Sequence, residues 1–456
     1  MANIDTIRPA TSVASPWLAG AIILGTVAFN AFLSFLNGHV FPTSASVVMA
    51  SEALLLLAAG LACRRYLTLS HVYIIALIAG YALALAAARS IATPDTTFDP
   101  KSARDLVIPV IFFLLGCAVA DIRAADKIVG VVTVVLLGFG LFESFALDAY
   151  LETFKVAEYY IARGTLEANA HSLNVSGGLM VSGMRPEEQG RTLLPFLSGH
   201  RISSLFLEPS TLGNYGAIVA LWGALRSRIT SRFFLWTILG GLVLIVLSDT
   251  RMAALLAVVG FIVLMMPPRL TTPAAFALPF VTIVALCLLA AWETPARGVA
   301  EVEGLGLYDR LLYSGRVLIS FDIFNWFGLS VSKAQTFDSG YGYVISNLGI
   351  IGFAVLWAVF MSLKGRNEYF YAFRNVSAVF FAILLCISAS MFTIKLAATW
   401  WFLLGILSVT DAGAIARRPV RTHIPPETPR YARLGWVKPQ AETAPQWLTG
   451  NPNRPA

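Results

Sequence analysis

Apolar residues occur along this chain in long runs, and short polar segments separate the runs. A helix needs about 20 residues to cross a hydrocarbon core of about 30 Å, and many of the runs approach that length. The pattern predicts twelve transmembrane helices, which cover residues 17–36, 45–62, 72–91, 105–120, 127–147, 209–225, 233–248, 251–266, 274–292, 341–362, 376–394 and 396–409. We therefore expect an all-α integral membrane protein.

Basic residues set the orientation of the predicted helices. With the N-terminal segment 1–16 in the cytoplasm, most of the flanking lysines and arginines fall on the cytoplasmic side, including three arginines between 417 and 421. The positive-inside rule then places both termini in the cytoplasm. The run 376–409, interrupted by Lys395, is long for one helix and short for two. The basic start of the tail favours two, since an odd count would move the tail across the membrane.

Two long segments lie on the non-cytoplasmic side in this topology, at 148–208 and 293–340. Long connections often carry binding and catalytic residues, so we expect the functional site there. Between 305 and 325, apolar residues recur at helical spacing. They predict either an amphipathic helix at the membrane interface or a loop helix that packs on the bundle. The proline-rich tail, 410–456, is predicted to be disordered in the cytoplasm.

Composition excludes a water-soluble globule, because 57% of the residues are hydrophobic and only 13% are charged. The net charge of +7 could indicate nucleic-acid binding, but the basic residues flank apolar runs, as membrane topology requires. The first run ends without a small-residue cleavage site, so we expect it to be retained. The four cysteines lie inside apolar runs, where a thiol acts as a small apolar group, so we expect neither disulfides nor a metal site.

Several cations lie on the side where the positive-inside rule does not predict them. A cation near the hydrocarbon is costly unless it is paired or functional, and guanidinium groups suit phosphate. We therefore expect an anionic ligand that approaches from outside. Arg251 has the alternative of an ion pair with Asp249, and Lys395 that of reaching to the interface. The unexpected cations are Arg89, Arg104, Arg201, Arg251, Arg310, Arg316 and Lys395.

One carboxylate lies directly before a predicted helix, a few residues after Arg201. Glu208 precedes Pro209, so it is a candidate general base for a sugar hydroxyl if burial raises its pKa towards the working pH. Its alternative roles are helix capping and partnership with Arg201. Asp338 is the second candidate, and His171 and His200 are further candidate bases.

Aromatic and glycine residues mark the start of a later helix. Tyr341 and Tyr343 fit either an interfacial aromatic belt or a platform on which a sugar stacks. The glycines around them allow a sharp entry into the membrane and close helix packing.

Five segments follow one another along the chain: Arg201 to Gly213, Ser248 to Ala254, Phe327-Gly328, Asp338 to Tyr341 and Gly349 to Gly352. Taken in this order, they resemble bacterial O-antigen and exopolysaccharide polymerases of the Wzy type, which share an architecture with O-antigen ligases. The resemblance covers about 200 to 352, and no motif in the first five predicted helices or the tail matches.

The resemblance implies a GT-C-like glycosyltransferase of the bacterial inner membrane that uses no metal or cofactor. It would transfer a growing glycan from undecaprenyl pyrophosphate to a lipid-linked repeat unit at the periplasmic face, with inversion. Its partners would be the undecaprenyl-pyrophosphate-linked oligosaccharide and membrane lipid, with a chain-length regulator and a flippase. Glu208, Arg251 and Asp338 would be catalytic. The pyrophosphate would contact Arg201, Arg251, Arg310, Arg316 and Lys395.

Other classes remain open. Ligases commonly use a histidine in the second large loop, and this chain has none between Arg201 and Arg421, which weakens that alternative. A flippase or transporter of lipid-linked oligosaccharide would also need many helices. Transporters tend to have internal repeats and to place charges and broken helices near the membrane centre, and this sequence indicates none of these. A structural scaffold is a third alternative.

Overall fold

The computed structural model describes residues 13–92, 101–166, 178–179, 183, 193–194, 199–230, 234–293, 306–330 and 338–411, all within the compact unit Met1–Ala416. This part of the chain is helical, without strands. Two 3₁₀ turns, Ser204–Phe206 and Ser390–Phe392, accompany the helices α1 (Pro16–His39), α2 (Ala45–Ala62), α3 (Leu69–Ala92), α4 (Lys101–Val119), α5 (Ile122–Phe145), α6 (Leu147–Phe154), α7 (Val156–Ala162), α8 (Pro209–Thr230), α9 (Leu235–Ser248), α10 (Arg251–Met265), α11 (Pro268–Glu293), α12 (Leu307–Ile319), α13 (Ile323–Trp326), α14 (Gly340–Ser362), α15 (Glu368–Leu384) and α16 (Ile394–Val409).

Six of the described helices, α1, α2, α3, α5, α11 and α14, are long and apolar enough to cross a membrane. Helices α9, α10 and α16 are also apolar but shorter. The chain is therefore an α-helical membrane protein, as the apolar pattern predicts. The count of twelve crossings stays a prediction, and almost all of the predicted tail lies outside the described residues.

Helix packing depends on small residues where backbones approach each other. A Cβ atom on Gly116 of α4 would lie 2.1 Å from the carbonyl oxygen of Phe402, and one on Gly405 of α16 would lie 2.0 Å from that of Phe113. Only glycine allows such an approach, which is typical of helix pairs in membranes. Helices α8 and α16 lie in the interior, because nearly all of their residues are buried between neighbouring helices.

The prediction of a helix over 376–394 is wrong. Helix α15 begins eight residues earlier, where the Asn367 side chain accepts a hydrogen bond from the Phe370 amide and caps the first turn. It ends at Leu384, and a non-helical stretch with a 3₁₀ turn leads to α16. Hydropathy did not reveal this break because the intervening residues are mostly apolar. Lys395 is consequently the second residue of α16, next to the turn.

Both long segments contain short helices. The first carries α6 and α7, which pack on α1. In the second, α12 packs on α11 and α14, and its Val317 and Leu318 are fully buried. This is the packing expected of a loop helix on the bundle. Phe324, which lies in the separate helix α13, is exposed.

Candidate functional site

An ion pair between a buried lysine and a half-buried glutamate lies where α8 and α16 begin. The Lys395 ammonium is 3.0 Å from Glu208 Oε1, and Lys395 is 5% exposed. The Tyr160 hydroxyl donates to the same oxygen at 3.2 Å, and the Thr211 hydroxyl donates to Oε2 at 2.8 Å. Both carboxylate oxygens are thus engaged. The alternative in which Lys395 reaches to the membrane interface does not fit, because its ammonium is buried. Lys395 is a partner of Glu208.

The loop before Glu208 is held in an unusual backbone conformation. Ser204 and Leu207 have φ of 51° and 58°, which are uncommon for residues with a side chain. The fully buried Glu143 of α5 accepts hydrogen bonds from the Ser203 and Ser204 amides, and the Tyr150 hydroxyl donates to the Ser204 carbonyl. Such backbone strain persists only when surrounding contacts determine it, and here those contacts position Glu208.

A general base at Glu208 would need a raised pKa, but the pKa of Glu208 is lowered. Burial raises its pKa, but the Lys395 ammonium and the hydrogen bonds from Lys395 and Thr211 outweigh it, so the pKa lies below its usual range. Burial, followed by the Glu208 charge, raises the pKa of Tyr160 well above its ordinary value, so this phenol stays a donor. In the unliganded protein Glu208 is therefore an ionised carboxylate and a weak base.

Further charges surround this pair. Arg163, which follows α7, interacts electrostatically with Glu208 and with Glu52 of α2. Glu52 also interacts with Lys395 and forms an ion pair with Arg104 of α4. We call this group the charged cluster. It consists of four cations and three carboxylates: Lys101, Arg104, Arg163, Lys395, Glu52, Asp105 and Glu208.

Helix α14 joins the charged cluster through Tyr343. Its hydroxyl donates to Asp105 Oδ2 at 2.7 Å, while Asp105 Oδ1 accepts from Arg104. The Lys101 ammonium lies 5.5 Å from the centre of the Tyr343 ring. In contrast, Tyr341 is fully buried, with its hydroxyl donating to the Ala382 carbonyl. The prediction that Tyr341 forms a platform for sugar is therefore wrong in this structure, since no ring face is accessible.

The structure brings the predicted residues of α8 and α10 close together. The Thr250 hydroxyl donates to the Pro209 carbonyl at 3.2 Å, so the start of α10 lies beside Glu208. Arg201 donates to the Ser248 carbonyl and to the Thr250 hydroxyl, so it fastens this turn and is not the predicted partner of Glu208.

The alternative role of Arg251 is not found. Asp249 is fully buried with φ of 48°, and its Oδ1 accepts a hydrogen bond from the Leu193 amide. The Arg251 side chain is exposed, and no ion pair joins it to Asp249 in the described part of the chain. Arg251 is therefore open to a ligand at the surface beside the charged cluster.

The other predicted site residues have no contact with the Lys395–Glu208 pair among the described residues. Arg310 and Asp338 form a pair at 4.0 Å with both side chains exposed, and exposed pairs contribute little. Arg316 is 4% exposed, and its Nε has no hydrogen-bond partner among the described residues. Between described residues, no hydrogen bond or ion pair connects these three to the charged cluster. Arg89 donates from one nitrogen to the carbonyls of Gly328, Ser346 and Asn347, a structural role.

The candidate histidines differ in what they contact. The buried His200 has its Nε2 3.6 Å from a Glu143 oxygen, so it belongs to the support of the loop before Glu208. His171 lies outside the described residues. Among those residues no group of three or more histidines, cysteines and carboxylates is arranged to hold a metal ion.

Sequence reasoning missed five charged members of this region: Glu52, Asp105, Glu143, Lys101 and Arg163. The first three are acids inside or at the end of an apolar run, where an ionisable residue is a functional candidate by default. That signal was present and could have found them. Lys101 and Arg163 lie in the connections between apolar runs and carry no comparable signal.

Comparison with protein-family models, with curated proteins and with solved structures gives no match.

Proposed function

We propose that this chain is a polysaccharide polymerase of a bacterial inner membrane, which transfers a growing glycan from undecaprenyl pyrophosphate to a lipid-linked repeat unit. The observation that carries the proposal is the charged cluster around the Lys395–Glu208 pair, at one end of an apolar bundle. A substrate with a long apolar tail, an anionic head and a polar sugar needs these three environments side by side.

The cations of the charged cluster suit a pyrophosphate. Buried charges interact more strongly than charges in water, so Lys395 and Arg163 would hold an anion firmly. A phosphate oxygen would compete with Glu208 for the Lys395 ammonium. Arg163 offers two parallel donors to phosphate oxygens, and the exposed Arg251 is the third cation of the proposed site. Lys395 and Arg251 keep the role predicted for them in this proposal, and Arg163 takes the role predicted for Arg201.

The proposed reaction proceeds without a covalent intermediate. An acceptor hydroxyl oxygen attacks the anomeric carbon of the donor sugar, and the bond from that carbon to the phosphate oxygen breaks. Undecaprenyl pyrophosphate leaves with the electron pair, and Lys395 and Arg163 stabilise the charge that develops on it. The hydroxyl proton passes to Glu208. Bound pyrophosphate engages Lys395 and adds negative charge nearby, so it raises the pKa of Glu208 and makes it a stronger base when substrate is present.

The test is complementation of a strain that lacks this chain, followed by gel analysis of surface and lipid-linked glycan. We expect Lys395→Met and Glu208→Gln to abolish polymer and to leave single repeat units on the outer side. Lys364→Met is the matched control, because Lys364 is exposed and lies outside the charged cluster. Membrane levels of each variant are measured by immunoblot. Normal polymer in both site variants, at normal protein level, would refute the proposal.

A transporter or flippase of lipid-linked oligosaccharide is the second candidate, and one observation favours it. Helix α14 is interrupted at Gly349, where φ is 66° and ψ is 162°. Interrupted helices and buried ion pairs are typical of transporters, and the sequence did not indicate this break. The same experiment separates the two: repeat units that accumulate only on the cytoplasmic side indicate a flippase. Full-length polymer that stays on its lipid carrier indicates a ligase.

A further inference from the structure

Helix α12 runs back along α11 into the bundle. Near the start of α12, the Tyr308 hydroxyl donates to Glu293 Oε1 at 2.7 Å. Further along, a Cβ atom on Gly315 would lie 2.2 Å from the Leu286 carbonyl oxygen, so the two backbones are in contact there. The two helices are therefore antiparallel, and the last residues of α12 lie deeper in the bundle than its first residues.

The second half of α12 lies at membrane depth. Trp292, next to the end of α11, is 86% exposed, which is typical of an aromatic residue at a membrane interface. Leu286, the neighbour of Gly315, lies about 9 Å further in, because a helix rises about 1.5 Å per residue. Ile323 and Phe324 of the next helix, α13, are exposed apolar residues. The segment from Gly315 onwards is thus in the apolar layer, where α13 presents an apolar surface to lipid.

Arg316, the residue after Gly315, is a buried cation without a counter-ion in the described part of the chain. It is 4% exposed, its Nε has no hydrogen-bond partner, and no hydrogen bond or ion pair joins its other nitrogens to a described residue. Side chains of a helix point towards the helix N-terminus, so the guanidinium is directed back to the start of α12. Its electrostatic interaction with the Tyr308 hydroxyl agrees with this direction.

The carboxylates nearest in the sequence to the start of α12 have other partners. Glu293 accepts from Tyr308, and Asp309 accepts from the Gly306 amide. A buried guanidinium without a counter-ion is costly, because no opposite charge offsets its desolvation. Arginine does not become neutral to avoid this cost, since its side chain stays protonated in proteins. Arg316 therefore has the character of a cation that awaits an anionic ligand.

We propose that Arg316 binds the phosphate group of a lipid whose apolar chains lie along α13. The guanidinium directs its donors towards the membrane interface and suits two phosphate oxygens at once. Ile323 and Phe324 lie deeper and offer apolar surface to the chains. The inference does not rest on the proposed polymerase function. Two sources supply this chemistry, an anionic phospholipid of the bilayer and the isoprenyl pyrophosphate of a substrate.

Thermal melting of the delipidated full-length protein in micelles of a neutral detergent tests this inference. The probes are phosphatidylglycerol, geranylgeranyl pyrophosphate and diacylglycerol, which has no phosphate. We expect at least one of the two phosphate lipids to raise the melting temperature by about 2 °C or more, and diacylglycerol to leave it unchanged. In Arg316→Met the Kd for that lipid should rise at least about tenfold. Arg310→Met is the matched control on the same helix and should keep the wild-type Kd, because Arg310 is exposed.

The two sources of the phosphate give different results, and either supports the inference. A phospholipid site responds to phosphatidylglycerol, whereas a substrate site binds geranylgeranyl pyrophosphate at least about tenfold more tightly than phosphatidylglycerol. The pyrophosphate probe is also titrated in Lys395→Met, with and without Arg316→Met, so that binding at the charged cluster does not enter the comparison. A lipid effect that is lost in Lys395→Met and kept in Arg316→Met belongs to the charged cluster and would overturn the site at Arg316.

The lipid-free protein gives an independent result. Removal of an unpaired buried charge relieves its cost, so delipidated Arg316→Met should melt at the wild-type temperature or above it. A melting temperature more than about 3 °C lower, or a failure to fold, would mean that Arg316 supports the fold through protein contacts, and the inference would be overturned. The same conclusion would follow if no phosphate lipid stabilised the wild-type protein. Arg316→Lys, which keeps the charge but not the planar fork, should bind the lipid more weakly than wild type and more tightly than Arg316→Met.

Discussion

Removing the Lys395 ammonium should destabilise the protein and, separately, abolish its activity. In Lys395→Met the Glu208 carboxylate keeps its bonds from Tyr160 and Thr211 but loses its only directly paired cation among the described residues. Loss of one member of a buried pair costs about 3–5 kcal/mol. Because two hydrogen bonds remain and Glu208 is partly exposed, we expect the lower end, about 3 kcal/mol.

The double variant separates the pair from its surroundings. Lys395→Met with Glu208→Gln leaves no unpaired charge, and neutral replacements of buried pairs are often close to neutral in stability. We therefore expect the double variant to be more stable than either single variant, with a coupling energy of about 2 kcal/mol. The strain that carries it should still lack polymer, because the ammonium that would bind the phosphate is gone.

The assay is reversible unfolding in mixed micelles with increasing sodium dodecyl sulfate, followed by tryptophan fluorescence for all four members of the cycle. Lys364→Met serves as the control for loss of an exposed lysine. A coupling energy below about 0.5 kcal/mol would mean that the two side chains act independently, and the reasoning from the buried pair would be refuted.

Three further predictions follow from individual contacts. Because the pKa of Glu208 is lowered in the folded protein, its contribution to stability is complete above the unfolded value of 4.5 and is lost as the pH falls through the lower folded value. Glu208→Gln should therefore flatten the loss of thermal stability below about pH 4.5, and an identical acid profile in the two proteins would contradict this. Gly349→Ala should destabilise the fold by at least about 1–3 kcal/mol, measured in the same micelles, because of its positive φ and its contact with Phe327. Arg310→Ala should change stability by less than about 1 kcal/mol, since its pair with Asp338 is exposed; a larger loss by melting would show an additional role.

The apolar pattern predicted most helices well because length and burial in lipid are properties of local sequence. Helix α2 has the predicted bounds, and α14 begins one residue before the predicted start. The pattern failed at 376–394, where an apolar turn has the hydropathy of a helix. It also could not reveal the break at Gly349, because the partners that stabilise it, Gly328 and Arg89, are distant in the sequence.

The candidate site was predictable in part, for a related reason. Arg201, Glu208 and Arg251 were selected from local context, and the structure does place their segments side by side. Their partners were not predictable from spacing: Glu208 pairs with Lys395, almost two hundred residues later, and Arg201 binds backbone and hydroxyl groups near Ser248. Pairing across the bundle decides whether a cation is structural or open to a ligand, and local sequence contains little information about it.

The acids inside apolar runs show how pairing separates the two roles. Glu143 is fully buried, and its oxygens accept from the Ser203 and Ser204 amides, so its charge serves to hold a loop. Glu52 is also buried, but its partners are cations: it pairs with Arg104 and interacts electrostatically with Lys395. A carboxylate satisfied by backbone amides has no reason to exchange its partners during function. One paired with cations can release them to a competing anion, so under the proposed function Glu52 belongs to the anion site and Glu143 to its support.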